Sequence, residues 1–324
     1  MSSRQARRRT EPLPAFSATT VPLPFRWDVT EAAKLGTLLD GERATTCDGF
    51  TQGLLACCAR VVASAGNADL VFVGRSPESL HDLLSGLLWD TSWRTRLTLL
   101  QFSVGYTDRS ATCRRSPESL AAFRAYLDVL GLSPAKLIVR ARPVALVDLV
   151  NWGNTLHQLL RLIRDWASED TADWPAVRRK IRLVAIVRPE EPCPIPTWKR
   201  RPKPWLWREH APWVKEILGH GGGTLREVAA DRALWSFLGD HQEKTTRSYV
   251  PERWGDPACA MPQRSADEGH LRALRLARAL FEQGRARTLR QAFAAHLSEQ
   301  REMRDEWLRS LVLELGSSAK PGRR

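Results

Sequence analysis

Several signatures are missing from this 324-residue chain, and each absence excludes a class of function. No apolar run approaches the roughly 18–20 residues of a membrane helix. The N-terminal MSSRQARRRTE is basic, but no apolar segment follows, so it does not read as a secretory signal. The six cysteines (Cys47, Cys57, Cys58, Cys113, Cys193, Cys259) form no C-x-x-C, and no histidine stands at zinc-finger spacing from a cysteine pair. They read as buried thiols of a reducing cytoplasm. There is no P-loop and no G-x-G-x-x-G. A nucleophile elbow is missing too, because Gly74-Arg75-Ser76-Pro77-Glu78 lacks its second glycine. The glycines of His220-Gly221-Gly222-Gly223 therefore read as a linker, with Thr224 and Glu227 as a capping box for a following helix.

What is present fits a soluble globular protein: 43% hydrophobic and 26% charged residues. The net charge of +13 is concentrated at the ends, with Arg4, Arg7, Arg8, Arg9, Lys320, Arg323 and Arg324 in the terminal tails. Of 13 tryptophans, seven fall between residues 152 and 213.

Short apolar runs alternate with helical patterns. DLVFVG (69–74), LTLLQFSV (97–104), the pair LIVR and VALVD (137–148) and IRLVAIV (181–187) read as strands covered on both faces. TCDGFTQGLLACCARVVASAG (46–66) reads as a helix stopped by Gly66. SPESL occurs at 76–80 and 116–120, each time as a helix start with Ser as N-cap and Pro at the first helical position. Leu156, Leu159, Leu160, Ile163 and Trp166 form one stripe of a helix over 154–167. The expected architecture is an α/β parallel sheet over residues 27–218, after an extended Pro-rich arm at 1–26. A boundary is placed at the glycines near 219–223. A helical region over 219–316 follows, with helices at 270–284 and 288–316 stopped by Gly284 and Gly316, then a tail at 317–324.

The segment VALVDLVNWGNTLHQLL (144–160) carries the chemistry. A strand ends at Asp148, Gly153 permits close backbone approach, and Thr155 opens a helix whose amides face an anion. It resembles the phosphoribosyl-pyrophosphate (PRPP) loop of type I phosphoribosyltransferases. The resemblance aligns Asp148 with that motif's second acid, Val147 with the first, and Asn151 and Trp152 with its hydroxyl pair. It implies that Asp148 holds the ribose hydroxyls and Mg²⁺. Asn151, Trp152, Gly153, Asn154 and Thr155 then hold the 5′-phosphate. Gly74, Arg75 and Ser76 match the family's pyrophosphate loop, with Arg75 suited to a phosphate oxygen.

The resemblance further implies an acceptor-binding segment after the 181–187 strand. There Trp198 is the candidate stacking residue for a nucleobase-like acceptor, beside Lys199, Arg200, Arg201 and Lys203. The expected function is that of a cytoplasmic, PRPP- and Mg²⁺-binding protein, a candidate transferase with Arg75 and Asp148 as catalytic residues. Two alternatives stand beside it. One is a degenerate nucleotide-binding regulatory domain, motivated by Val147. The other is a nucleic-acid-binding protein using the basic tails and the Trp/Arg-rich 198–213 segment.

Overall fold

A computed structural model describes residues 22–103, 116–150, 153–188, 225–262 and 267–317. Five strands form one all-parallel sheet: β1 (Asp69–Val73), β2 (Leu97–Leu100), β3 (Val144–Leu149), β4 (Ile181–Val187) and β5 (Leu225–Ala229), in the order β2-β1-β3-β4-β5. The α/β class expected from the alternating pattern is the architecture observed.

Helices cover both faces, so nearly every central-strand residue is buried. Alternate side chains point to opposite layers. Leu70, Phe72, Ala145, Val147, Val184 and Ile186 face a layer containing α2 (Phe50–Ala65) and α3 (Glu78–Leu87). Val71, Val73, Val144, Leu146, Leu183 and Ala185 face α4 (Pro117–Val129), α5 (Pro134–Val139), α6 (Asn154–Glu169) and α7 (Trp174–Arg179). A short helix α1 (Ala32–Leu35) precedes them, and α8 (Arg232–Ser236), α9 (Glu268–Arg285), α10 (Arg287–Ser298) and α11 (Glu306–Ser317) follow the sheet.

Local signals and tertiary pairing conflict at several points. The LIVR run at 137–140 is not a strand: Pro134 at the first helical position starts α5, and Leu137 is buried from a helix. Leu225–Ala229 is strand β5, not a capped helix, because β4 offers an unpaired parallel edge that takes its amides and carbonyls. The sheet therefore extends past the glycine boundary near 219–223, which itself lies outside the described residues. The pattern over 288–316 is broken into α10 and α11 by a 3₁₀ turn at Arg301–Arg304.

Gly284 does not stop its helix. It lies inside α9, where it crosses Gly86 of α3 at backbone contact. A Cβ on Gly284 would sit 2.5 Å from the Leu83 carbonyl oxygen and 2.7 Å from the Leu87 amide. The missing side chains let the two helices touch, with Leu280 sealed into the α3-side core and Phe281 packed with Val29, Leu35 and Trp89. Gly284→Ala is expected to overpack this crossing and destabilise the fold by about 1–3 kcal/mol. Gly316→Ala, where a Cβ meets nothing within 4 Å, is expected to be neutral or stabilising. Urea unfolding of the two variants checks the contrast.

Candidate functional site

The strand order reverses between β1 and β3. The helix after β1 lies on one face of the sheet and the helix after β3 on the other. In an open parallel sheet this switch point, at the carboxyl ends of the strands, is where a crevice forms. Paired register runs to Phe72 opposite Val147, so the next residues carry the two strand ends forward side by side. The Gly74–Ser76 turn and the Gly153–Thr155 helix start, read separately from the sequence, leave these neighbouring strands.

Both turns are left-handed, with φ of +79° at Gly74 and +74° at Gly153. A Cβ at Gly74 would also lie 3.0 Å from the Phe102 carbonyl oxygen. Neither α3 nor α6 has a side-chain cap. Ser76 is not the N-cap expected: Pro77 occupies that position, and Ser76 sits in the turn before it. The first backbone bond of α6 runs from the His157 amide to the Gly153 carbonyl. The amides of Asn154, Thr155 and Leu156 donate to no described group, and neither do those of Arg75 and Ser76. The Gly74 amide donates to the Leu100 carbonyl at 2.8 Å, so Gly74 shapes the turn and contributes no donor to it.

Asp148 sits at the end of β3, 5% exposed, on the α6 side by alternation. Burial pushes its carboxyl well above the usual carboxylate range, opposed only by a hydrogen bond to the backbone of Leu149. Val147, at the other acid position of the motif, is fully buried in the opposite layer. Asn151, Trp152 and Trp198 lie outside the described residues, as do Lys199–Arg201 and Lys203.

No local sequence signal marks the groups that close over β1. Glu78, on the first turn of α3, is 1% exposed. Its carboxylate accepts from the Thr245 amide at 2.9 Å, the Thr245 hydroxyl at 2.7 Å and the Thr246 hydroxyl at 2.7 Å. Asp82, one turn on, accepts from Arg26 at 2.6 and 2.8 Å. Burial opposes the charge on Asp82, but Arg26, with His81, holds its carboxyl below the usual range. The Arg75 guanidinium reaches the Thr246 carbonyl at 3.5 Å, using one of its five donors weakly.

Lys244 follows the same segment. Its ammonium donates to the Leu238 carbonyl at 2.7 Å and lies in the field of Glu78, Arg75 and Asp240. Burial pulls it down to about 8. Arg75 and Lys244 thus stand beside the turn after β1 at the crevice.

Comparison with protein families, curated proteins and solved structures finds no match for this chain. Among the described residues, no helix is long and apolar enough to cross a membrane. The chemistry therefore rests on the geometry alone: uncapped amides of two loops, two basic side chains and one buried acid lie about the ends of β1 and β3.

A buried acid without a described cation opposes folding once it must ionise. Asp148→Asn keeps its shape and removes that cost. Because the native pKa is raised, the native state holds its proton above the unfolded value of 3.8, and wild-type stability falls as pH rises towards the raised value. The variant is expected to melt higher than wild type at pH 7 without ligand, with the gain vanishing below pH 3.8. Thermal melts across pH check this.

Proposed function

We propose that the switch-point crevice binds PRPP, and that the protein is a phosphoribosyltransferase-like protein. The observation that carries this reading is the convergence of two uncapped, glycine-turned loops at the ends of adjacent parallel strands. One cradle suits the 5′-phosphate, at Gly153, Asn154 and Thr155. The other suits pyrophosphate, at the amides of Arg75 and Ser76 with the Arg75 guanidinium. Asp148, at the end of β3, is the carboxylate proposed for the ribose hydroxyls.

Mg²⁺ fits this arrangement in a limited way. No group of three or more His, Cys, Asp or Glu side chains gathers among the described residues. Mg²⁺ carried by phosphate oxygens needs only one or two carboxylates, and the buried Asp148 carboxyl has no cation of its own among the described residues. Asp148 would hold the ion, which when bound supplies neutralising charge to the pyrophosphate.

In the transfer reaction the ribose C1–O bond breaks and its electron pair leaves with pyrophosphate. An acceptor nitrogen bonds to C1 and loses its proton. The side chains best suited to ease this are Arg75 and protonated Lys244, which compensate the charge that grows on the leaving group. A nucleobase-like acceptor is the companion proposal. The absence of a second acid at Val147 favours a binding domain without turnover as the second reading, and a pyrophosphate-release assay separates the two.

Calorimetric titration with PRPP and Mg²⁺ tests the binding. Gly153→Val places a side chain in the cradle at a left-handed position and is expected to abolish binding. Thr155→Val deletes one hydroxyl and is expected to cost about 1–3 kcal/mol. Asp148→Asn should weaken binding at least tenfold, about 1.4 kcal/mol. If Thr155→Val proves the most damaging, or no variant changes affinity, the loops are ordinary strand–helix connections.

Lys244 adds a pH signature. It is charged below about 8 and neutral above, so affinity for PRPP should fall as pH rises past that value. Lys244→Met should bind more weakly at pH 7 and lose this dependence. Titrations at several pH values, with the phosphate ionisation corrected by the same series on the variant, check it.

A further inference from the structure

A cavity lies where distant parts of the chain meet. The N-terminal arm supplies Phe25 and Trp27, the end of β2 supplies Gln101, and the segment after Lys244 supplies Arg247, Tyr249 and Arg253. His270, at the start of α9, completes one side.

The lining combines two chemistries. Phe25 and Trp27 meet edge to face, with ring centroids 4.9 Å apart. Tyr249 is fixed by its hydroxyl, which accepts from the Gly255 amide at 3.2 Å. These are rigid aromatic walls. Arg247 and Arg253 make the rest basic, and no Asp or Glu is among the described lining residues.

The acids nearby lie outside the lining, although Asp267 sits in the field of Arg247. Asp256 accepts from the Ala258 amide at 2.9 Å, and Asp267 accepts from the His270 amide at 2.9 Å and meets the His270 ring at 2.7 Å. Arg253 donates to the Ser248 carbonyl at 3.1 Å, which aims its fork without neutralising it. Arg247 is exposed and donates to no described group.

We infer that this cavity binds a small aromatic carboxylate, its ring against Phe25, Trp27 and Tyr249 and its carboxylate on Arg247 and Arg253. Guanidinium groups recognise a carboxylate bidentately, and flat apolar walls select a ring over a bare anion. The site stands independently of the PRPP reading, although Thr245 and Thr246 line the cavity and also bind Glu78 beside the crevice.

Calorimetric titration of the full chain with three probes tests this: indole-3-carboxylate, its neutral analogue indole-3-methanol, and acetate. Indole-3-carboxylate is expected to saturate, with the neutral analogue at least about tenfold weaker and acetate not saturating below about 10 mM. Arg247→Gln, a substitution at an exposed side chain, should weaken indole-3-carboxylate binding about tenfold and leave the melting temperature unchanged. Trp27→Leu should weaken it as well. The inference is overturned if no probe binds below about 10 mM, if the neutral analogue binds equally well, or if Arg247→Gln leaves affinity intact.

Discussion

Two carboxylates buried one turn apart on α3 organise this protein. Asp82 meets His81 beside it at 3.2 Å, but the main partners of both carboxylates come from distant parts of the chain. Arg26 comes from the N-terminal arm and Thr245 and Thr246 from beyond the fifth strand. Thr245 links the two pairs, accepting from Arg26 at 3.3 Å and donating to Glu78 at 2.7 Å. Removing one side of such a buried network leaves a charge without compensation, a penalty of about 3–5 kcal/mol. The carboxylates therefore hold the segments at Arg26 and at Thr245–Thr246 onto the first turns of α3.

That constraint shapes the crevice. Once Thr246 is held by Glu78, its carbonyl lies within reach of Arg75, and Lys244 is drawn under the same cover. An aromatic stack finishes the closure: Trp254 lies over Phe123 with centroids 4.1 Å apart and meets Phe102 at the end of β2. The result is uneven electrostatics at one end of the sheet. Arg26, Arg75 and Lys244 gather with Glu78 and Asp82 on the β1 side, while burial raises the Asp148 carboxyl on the β3 side.

The comparison of sequence with structure turns on what is local. Strands β1, β3 and β4 were legible because burial on both faces demands unbroken apolar runs. The turns at Gly74 and Gly153 were legible because glycine marks a left-handed position. The two SPESL pentapeptides show where legibility stops. Ser116 caps α4 by accepting from the Ser119 amide at 3.1 Å and Glu118 is exposed, whereas Ser76 caps nothing and Glu78 is sealed by threonines 167 and 168 residues away. Identical letters met different tertiary surroundings. Strand β5 was missed for the same reason, since its Leu225 and Val228 match no local strand pattern until β4 lies beside them.

The order in which the chain is made gives the network a temporal meaning. During synthesis the first four strands and their helices emerge well before residue 245 does. Through that interval Asp82 has Arg26 and His81, and Glu78 lacks the threonines that later bind it. Ribosomes extend a chain at roughly 5–20 residues per second, so the interval lasts several seconds. A nascent chain in this state exposes two carboxylates and an uncovered sheet end. Its crevice becomes enclosed only when the last quarter of the sequence has been translated.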